Sequence, residues 1–381
     1  MAEVKIRQMQ SVGNHSTETT FEAKDIDRLD EDLIKGLFGT QRTERAEKEP
    51  GKEIKLADIP TAQPGLKCEV VAIYDNAGIP SIMRRFTKTT DKELFGGSEK
   101  THPAFIIGGV EYDEIYLSVY PNCEINGKPY SLPYQKPWTN ITNDDAAKAC
   151  FSKGEGWHML TAAEWGLLAD TSLMLGTLPH GNTNGGKYHS DPAEHGEEYD
   201  NSSKTLTGSG PATWTHDHTP EGVHDLCGNV WEMVRGLRIK NGRLQAAENN
   251  DAALDIDLTP EGDDWHNIID SSTDRKPIRV SVSDDGISLI TDGEAEADYS
   301  GNCWEDVSIN CESEQLKELA LFPGEPEAYF YVDSTDGEYF PLRGGGWYYG
   351  AYAGVFATDL DYSRASVDHR VGFRSAYFKK N

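Results

Sequence analysis

Residues 343–374 read Arg343-Gly-Gly-Gly-Trp-Tyr-Tyr-Gly-Ala-Tyr-Ala-Gly-Val-Phe-Ala-Thr-Asp-Leu-Asp-Tyr-Ser-Arg-Ala-Ser-Val-Asp-His-Arg-Val-Gly-Phe-Arg374, and this stretch decides the fold. The glycines at 344–346 permit a close backbone approach or a β-bulge next to Trp347. No Lys-Ser or Lys-Thr pair follows them, so they do not form a phosphate-binding P-loop. We therefore give these glycines a packing role.

Apolar and polar residues alternate through the same stretch. The apolar members are Val355, Phe356, Leu360, Val371 and Phe373, with polar or amphipathic residues between them. Because side chains of a strand point alternately to its two faces, we expect one set to face a core and the other to face solvent. The plain alternative is an ordinary pair of glycine- and tyrosine-rich closing strands, since tyrosine is a normal strand residue.

Two further blocks lie upstream. The first is Gly156-Trp-His-Met-Leu-Thr-Ala-Ala-Glu-Trp165, in which Thr161 and Glu164 have the spacing of a helix capping box. Thr142 predicts a second helix start, before 143–150. The other block is Gly222-Val-His-Asp-Leu-Cys-Gly-Asn-Val-Trp-Glu232. Asn229, Trp231 and Glu232 in this block resemble a catalytic trio. A polar pair that flanks a large aromatic residue is, however, more often a core anchor whose polar atoms tie loops together.

The remaining pattern predicts a loop-rich α+β protein. Strands are expected at 69–74 and within 104–120, and hairpins at 236–245 and 278–290. Residues about 247–335 are acidic and are interpreted as an insertion that decorates the core. Residues 1–65 are interpreted as an N-terminal arm or attachment segment with a weakly amphipathic run at 26–38, and a disordered tail is the alternative. This arm is also where oligomerisation is possible.

Composition excludes several classes of function. The 36 Lys+Arg against 64 Asp+Glu give a formal net charge of -28, which repels nucleic acid and anionic membranes. Neither a membrane-spanning run nor a secretory signal is visible, so we expect no membrane insertion and synthesis as a soluble protein.

The six cysteines have no zinc-finger spacing and are interpreted mainly as buried free thiols, with Cys303 and Cys311 close enough in sequence to bridge. His216, His218 and His224 lie near Asp217 and Asp225, but clusters of this size are usually solvated. We expect no metal and no cofactor.

The three blocks together resemble the formylglycine-generating-enzyme-like variant of the C-type lectin fold. That family has G-W-R-L-P-T-x-A-E-W, G-V-x-D-M-x-G-N-V-W-E-W and closing R-G-G-S-W and G-F-R motifs, matched here in order across about 105–378. The resemblance implies two helices that flank small antiparallel sheets, and a ligand-binding domain over 66–381. It also raises an enzymatic alternative, an oxidase that acts through a cysteine directly after G-F-R. Here that position is Ser375, and no cysteine follows Cys311.

The closing stretch also resembles the variable region of diversity-generating-retroelement proteins, W-N-N-G-x-N-A-G-V-F-A-x-N-L-N-N-S-R-x-N-x-N-N-N-V-G-F-R. Ten positions, here called the substituted positions, depart from the asparagines of that template: Tyr348, Tyr349, Tyr352, Asp359, Asp361, Tyr362, Ser366, Asp368, His369 and Arg370. The retained residues between them are called the framework. Adenine mutagenesis turns an AAY codon into NNY, which never encodes Lys, Glu, Gln, Met or Trp, and all ten residues obey this limit.

This resemblance implies recognition without catalysis. We expect residues 343–376 to be a variable region whose tyrosines bury against a protein or glycan on a host or target cell surface, with display on a virion or a cell surface. The scaffold residues are Trp231, Asn229, Trp347, Phe356 and Phe373. A formylglycine-generating-type oxidase and a structural viral or surface protein remain alternatives.

Overall fold

The computed structural model describes residues 4–12, 15–23, 53–55, 70–272, 275–291 and 295–380. Within these ranges the fold is mixed α+β with four α-helices: α1 (Asp91–Phe95), α2 (Asn143–Phe151), α3 (Ala162–Leu175) and α4 (Glu314–Glu318). The α+β class and both predicted helix starts are confirmed. The expectation of two helices was too low because the short α1 and α4 were not recognised.

The helix starts follow the predicted capping chemistry. The Thr142 side chain accepts a hydrogen bond from the Asp145 backbone N–H, and Thr161 accepts one from Glu164 while the Glu164 carboxylate accepts from the Thr161 N–H. A cap of this kind satisfies N–H groups that have no partner inside the helix. Each described helix is too short or too polar to cross a bilayer.

Twenty-four β-strands lie in the described residues. The first twelve are β1 (Val4–Val12), β2 (His15–Ala23), β3 (Glu53–Lys55), β4 (Val70–Tyr74), β5 (Pro80–Thr87), β6 (Ile106–Ile107), β7 (Val110–Glu111), β8 (Glu114–Ser118), β9 (Asn122–Ile125), β10 (Lys128–Ser131), β11 (Trp157–Met159) and β12 (Trp231–Met233). The others are β13 (Leu237–Lys240), β14 (Arg243–Ala246), β15 (His266–Asn267), β16 (Arg279–Ser283), β17 (Gly286–Ile290), β18 (Tyr299–Cys303), β19 (Ser308–Ile309), β20 (Tyr329–Asp333), β21 (Glu338–Gly344), β22 (Gly354–Ser363), β23 (Val371–Phe373) and β24 (Ser375–Tyr377).

Two sheets organise the fold. One is a six-stranded antiparallel sheet of order β11-β24-β8-β5-β4-β3, and the other has twelve strands along the path β18-β20-β22-β21-β13-β14-β16-β17-β19, with β12, β15 and β23 attached. The prediction of small antiparallel sheets was wrong for the larger one, which also contains the parallel pairs β12–β23, β17–β19 and β20–β22. Strands of the 247–335 segment account for this size because they extend the sheet on both sides.

Local sequence signals located the hairpins correctly. β13 and β14 close with Lys240 opposite Arg243, and β16 and β17 close with Ser283 opposite Gly286. In the first 65 residues the described backbone forms the β1–β2 hairpin, and β3 pairs with β4 at the edge of the six-stranded sheet. The amphipathic run at 26–38 lies outside the described residues.

A single large core cluster joins the helices to the twelve-stranded sheet. It includes Trp165 of α3, Trp231 of β12, Trp304 of the 247–335 segment and Phe356 of β22. The acidic segment is therefore packed into the same core as the closing strands.

Candidate functional site

The closing segment enters its loop through a sharp backbone turn. β21 and β22 shift register between Arg343 and Gly344, and Gly344 and Gly345 have φ angles of 90° and 86°. A Cβ on Gly345 would lie 2.6 Å from the Cβ of Ala353. The predicted bulge beside Trp347 is confirmed, and the close approach of the two ends of the loop requires glycine.

Two buried indoles hold the beginning of β22. The Trp165 Nε1–H donates to the Val355 carbonyl at 2.8 Å, and the Trp304 Nε1–H donates to the Phe356 carbonyl at 2.9 Å. Glu325 accepts from the Phe356 N–H at 3.5 Å, and burial raises the pKa of this carboxyl to about 7. The backbone at the beginning of β22 is thus fixed by side chains from outside residues 343–376.

The apolar framework residues face the core, as predicted. All five apolar members named from the sequence pattern are buried: Val355, Phe356, Leu360, Val371 and Phe373.

The substituted positions differ in exposure. Tyr348 is 50% exposed and Tyr352 52% exposed. Asp361, His369 and Arg370 are also exposed, whereas Tyr349, Asp359, Ser366 and Asp368 are half-buried.

Tyr362 departs from the expectation that all ten would face solvent, because it is only 8% exposed. The reason is that Tyr362 lies on the same face of β22 as the buried Leu360. Leu360 and Tyr362 are two residues apart on β22 and both are buried, with the exposed Asp361 between them. Phe340 and Leu342 of β21 stand opposite Tyr362 and Asp359, so β22 also has one extra residue here.

Six substituted positions surround one pocket of about 230 Å³, here called the β20–β22 pocket: Tyr349, Asp359, Asp361, Tyr362, Asp368 and Arg370. The remaining lining residues are Trp231, Tyr329, Tyr331, Leu342 and Val371. Four substituted positions lie outside this lining: Tyr348, Tyr352, Ser366 and His369. The pocket therefore lies between β20, β22 and the turn before β23.

Aromatic rings form a continuous wall on one side of the pocket. The Tyr349 ring centroid lies 5.1 Å from that of Trp231 in an edge-to-face arrangement, and 4.9 Å from that of Tyr348. The Tyr329 centroid lies 6.0 Å from that of Tyr349 and 6.2 Å from that of Tyr352. Predicted contact tyrosines, a scaffold tryptophan and a tyrosine of the acidic segment thus meet at one surface.

Tyr329 and Tyr331 are the site residues that the sequence analysis missed. They lie on β20, which pairs in parallel with β22 and places Tyr331 opposite Asp359. The signal was the alternation Tyr329-Phe-Tyr-Val-Asp333, in which Phe330 and Val332 are buried and the tyrosines are half-buried. This alternation was not recognised because residues 329–333 lie in the acidic segment that was interpreted as decoration of the core.

Arg370 organises the rim of the pocket. Its Nε donates to both carboxylate oxygens of Asp368, at 3.0 and 2.9 Å, and its Nη1 donates to the Tyr348 hydroxyl at 3.0 Å. These bonds raise the pKa of Arg370, and in return Arg370 lowers the pKa of Asp368. The guanidinium is therefore neutralised locally.

Asp359 and Asp361 are neighbouring carboxyl groups that have no arginine partner comparable to that of Asp368. The Asp361 N–H donates to Asp359 Oδ1 at 3.1 Å, and neither carboxyl forms an ion pair within the described ranges. Burial, followed by repulsion from Asp361, raises the pKa of Asp359 well above its usual value, whereas Arg370 opposes the shift.

The predicted scaffold residues connect separate parts of the chain. The Asn229 amide accepts from the Thr205 N–H at 2.9 Å, donates to the Thr205 carbonyl at 3.1 Å and accepts from Asn182 at 3.3 Å. Glu232 forms a buried ion pair with Arg374, at 2.7 Å. This geometry supports the interpretation of Asn229, Trp231 and Glu232 as core anchors.

Trp347 is half-buried at the beginning of the variable loop. The Trp347 backbone N–H donates to the Asn229 carbonyl at 3.2 Å, and the Lys204 ammonium lies 5.3 Å from the centroid of the Trp347 ring.

Ser375 occupies the position at which the oxidase family has its cysteine. Ser375 is buried in β24, where its hydroxyl donates to Asn122 at 3.0 Å and lies 3.1 Å from that of Ser118. Cys303 and Cys311 are free thiols and do not bridge.

The histidine cluster was expected to be solvated, and this was wrong for His216 and His224, which are buried. Val223 N–H donates to His216 Nδ1, and the His224 ring stacks on Tyr120. A different acidic group, Asp91, Glu314 and Glu318, brings carboxylate oxygens within 4.8 Å of one another, but Lys100 forms ion pairs with all three.

Comparison with known proteins gives weak structural likeness and no sequence match. The sequence matches no family model and no curated protein. The solved structure of PvdO from Pseudomonas aeruginosa is similar at 15% sequence identity and a TM-score of 0.30, over 87% of this chain and 99% of that chain.

Proposed function

We propose that this chain is a ligand-binding protein of C-type-lectin type, and that a retroelement diversifies its residues 343–376. In this proposal the variable region binds a protein or glycan on a host or target cell surface, without catalysis, and the chain is displayed on a virion or a cell. One observation carries it: positions that depart from the asparagine template surround a pocket or reach solvent, while the retained apolar positions are buried.

The contacts between distant motifs support the lectin-type fold. Glu232 stands opposite Arg343 on one side and Gly372 on the other, so the second and third sequence blocks are neighbouring strands. The Leu160 N–H donates to the Arg374 carbonyl, which joins the first block to the third. Motifs that resemble one family in sequence are thus in mutual contact.

The rigidity of β22 supports a role in diversified recognition. The carbonyls of Val355 and Phe356 are bonded to indoles of Trp165 and Trp304, neither of which is a substituted position. A platform held from outside keeps its backbone when its contact side chains change. Tyrosine supplies large and stiff contact area at low entropic cost, and Ser, Asp, His and Arg supply adjustable hydrogen bonds. Modest affinity at each site suffices when copies are displayed multivalently.

Sequencing of the DNA that flanks the gene tests the proposal. We expect a reverse-transcriptase gene beside a near-copy of codons about 343–376, with differences from the expressed copy confined to adenines of the near-copy. Differences scattered over all four bases, or the lack of any such copy in the complete genome, would contradict retroelement diversification.

A further inference from the structure

We propose that the β20–β22 pocket binds an organic cation, namely the ammonium or guanidinium group of a lysine or arginine side chain on a protein partner. This inference rests on the proposed function and adds the chemistry of the recognised group. A volume of about 230 Å³ lies below the roughly 300–1,000 Å³ of sites that enclose whole small molecules. The pocket therefore suits one inserted side chain.

The walls of the pocket offer aromatic faces and edges from three strands or turns. Trp231 comes from β12, Tyr349 from the variable loop, and Tyr329 and Tyr331 from β20. The Tyr329 and Tyr331 rings stack at a centroid distance of 5.9 Å. Aromatic faces attract cations through the ring quadrupole, and cages of several rings recognise substituted ammonium groups.

Two carboxyl groups face the same space without a cation of their own. Asp359 is half-buried and Asp361 exposed, and both line the pocket. A bound cation would stabilise both carboxylates in their charged form and would displace the proton that burial favours on Asp359. The charged or titratable groups around Asp359 are Asp361 and Tyr362 on its own strand, Tyr329 and Tyr331 on β20, Tyr349 on the loop before β22, and the Asp368–Arg370 pair.

The Tyr362 hydroxyl gives a second and independent indication of a ligand. Tyr362 lines the pocket, is 8% exposed, and its hydroxyl has no hydrogen-bond partner within the described ranges. A buried polar atom without a partner costs free energy. An inserted guanidinium or ammonium group has several N–H donors, and one of them can donate a hydrogen bond to the phenol oxygen of Tyr362.

The charges of the pocket and of the whole chain favour the same sign of ligand. Arg370 is the pocket's one basic lining residue, and its Asp368 partner neutralises it. The formal net charge of -28 attracts a basic partner from a distance. An acidic group would meet Asp359 and Asp361 unpaired, which is costly.

Saturation-transfer NMR on the full-length chain tests the proposal. The probes are N-acetylarginine amide and N-acetyllysine amide, compared with N-acetylnorleucine amide, N-acetylglutamate amide and a methyl glycoside. We expect saturation transfer to the two cationic probes only. Equal transfer to norleucine or glutamate probes, or binding of the glycoside instead, would overturn the cation assignment.

A pair of variants locates the binding. Asp359→Asn/Asp361→Asn is expected to weaken affinity for the arginine probe about tenfold or more, which is ~1.4 kcal/mol. Asp284→Asn/Asp285→Asn removes the same charge from exposed residues of the β16–β17 turn and is expected to bind as wild type. Equal losses in the two variants would indicate general charge attraction, and no loss in either would place the cation elsewhere; both results overturn the proposal.

Affinity for the arginine probe is expected to rise with pH, because protonated Asp359 is neutral and attracts the cation less than its carboxylate does. A flat profile would contradict the role of Asp359. Failure of the inference is distinguishable from failure of the proposed function. If the flanking near-copy exists and the cations do not bind, only the ligand chemistry is wrong. If the cations bind and no near-copy exists, the pocket is a cation site in a protein that is not diversified.

Discussion

Two arginines of the closing segment, Arg374 and Arg370, form carboxylate pairs of the same chemistry in different surroundings. Arg374 and Glu232 are buried, and Arg374 also donates to the carbonyl oxygens of Val119 and His224. Arg370 and Asp368 lie at the surface, where an exposed tyrosine hydroxyl accepts from the arginine. The first pair joins Glu232 of β12 to the Arg374 that ends the retained G-F-R motif, and the second occupies two substituted positions.

The two pairs are expected to differ in how much free energy their loss costs. Removing one partner of a buried pair leaves a charge without water or counter-ion, which costs about 3–5 kcal/mol. An exposed pair contributes only about 0–1 kcal/mol. Substitution is therefore tolerated where side chains are solvated and excluded where they hold strands together.

The largest expected effect is that of Arg374→Met. It leaves Glu232 buried without its partner, and burial already raises the pKa of that carboxyl. We expect the free energy of unfolding in urea to fall by about 3–5 kcal/mol. The double variant Glu232→Gln/Arg374→Met removes both charges and is expected to recover part of the loss. Glu232→Gln alone completes the comparison. If the free energy of unfolding lost in the double variant equals the sum of the losses in the two single variants, the pair does not act as a unit.

A smaller effect is expected at the bulge. Gly345→Ala places a Cβ 2.6 Å from the Ala353 Cβ at a φ of 86°, so it combines overpacking with strain. We expect it to lower the free energy of unfolding by about 2–4 kcal/mol. The matched control is Gly350→Ala, at a φ of 58° with no atom within 4 Å of the new Cβ. Its cost should be about 1 kcal/mol. Equal costs would show that contact with Ala353 is unimportant.

Features set by neighbouring residues were predictable from the sequence. The Thr161–Glu164 cap, the Lys240–Arg243 hairpin and the burial of Phe356 each depend on signals within a few residues. Capping, tight turns and alternation are local, so one sequence suffices to place them.

Features that depend on distant pairing were not predictable. Nothing in the spacing of Tyr331 and Asp359 indicates that they are opposite each other in a parallel pair. The register shift between β21 and β22 depends on a partner strand and has no local signal, whereas the burial of Tyr362 follows the alternation of Leu360 and Tyr362 and was masked by its template position. The acidic composition of 247–335 indicated solvent contact, whereas Trp304 and Tyr329 from this segment complete the candidate site.

The smallest expected effect concerns an exposed substituted position. Tyr352→Ser is a change that an NNY codon permits, at a side chain 52% exposed, and should alter the free energy of unfolding by less than about 0.5 kcal/mol. Its comparison variant is Tyr362→Ser, an equally permitted change at a buried ring, with an expected loss of about 2–4 kcal/mol. Urea unfolding of both variants decides whether burial or template position sets the tolerance. If Tyr362→Ser is as harmless as Tyr352→Ser, the core relaxes around this position, and all ten positions can vary freely. If only Tyr352→Ser is harmless, fewer than ten positions tolerate free substitution, because the Tyr362 ring also supports the core.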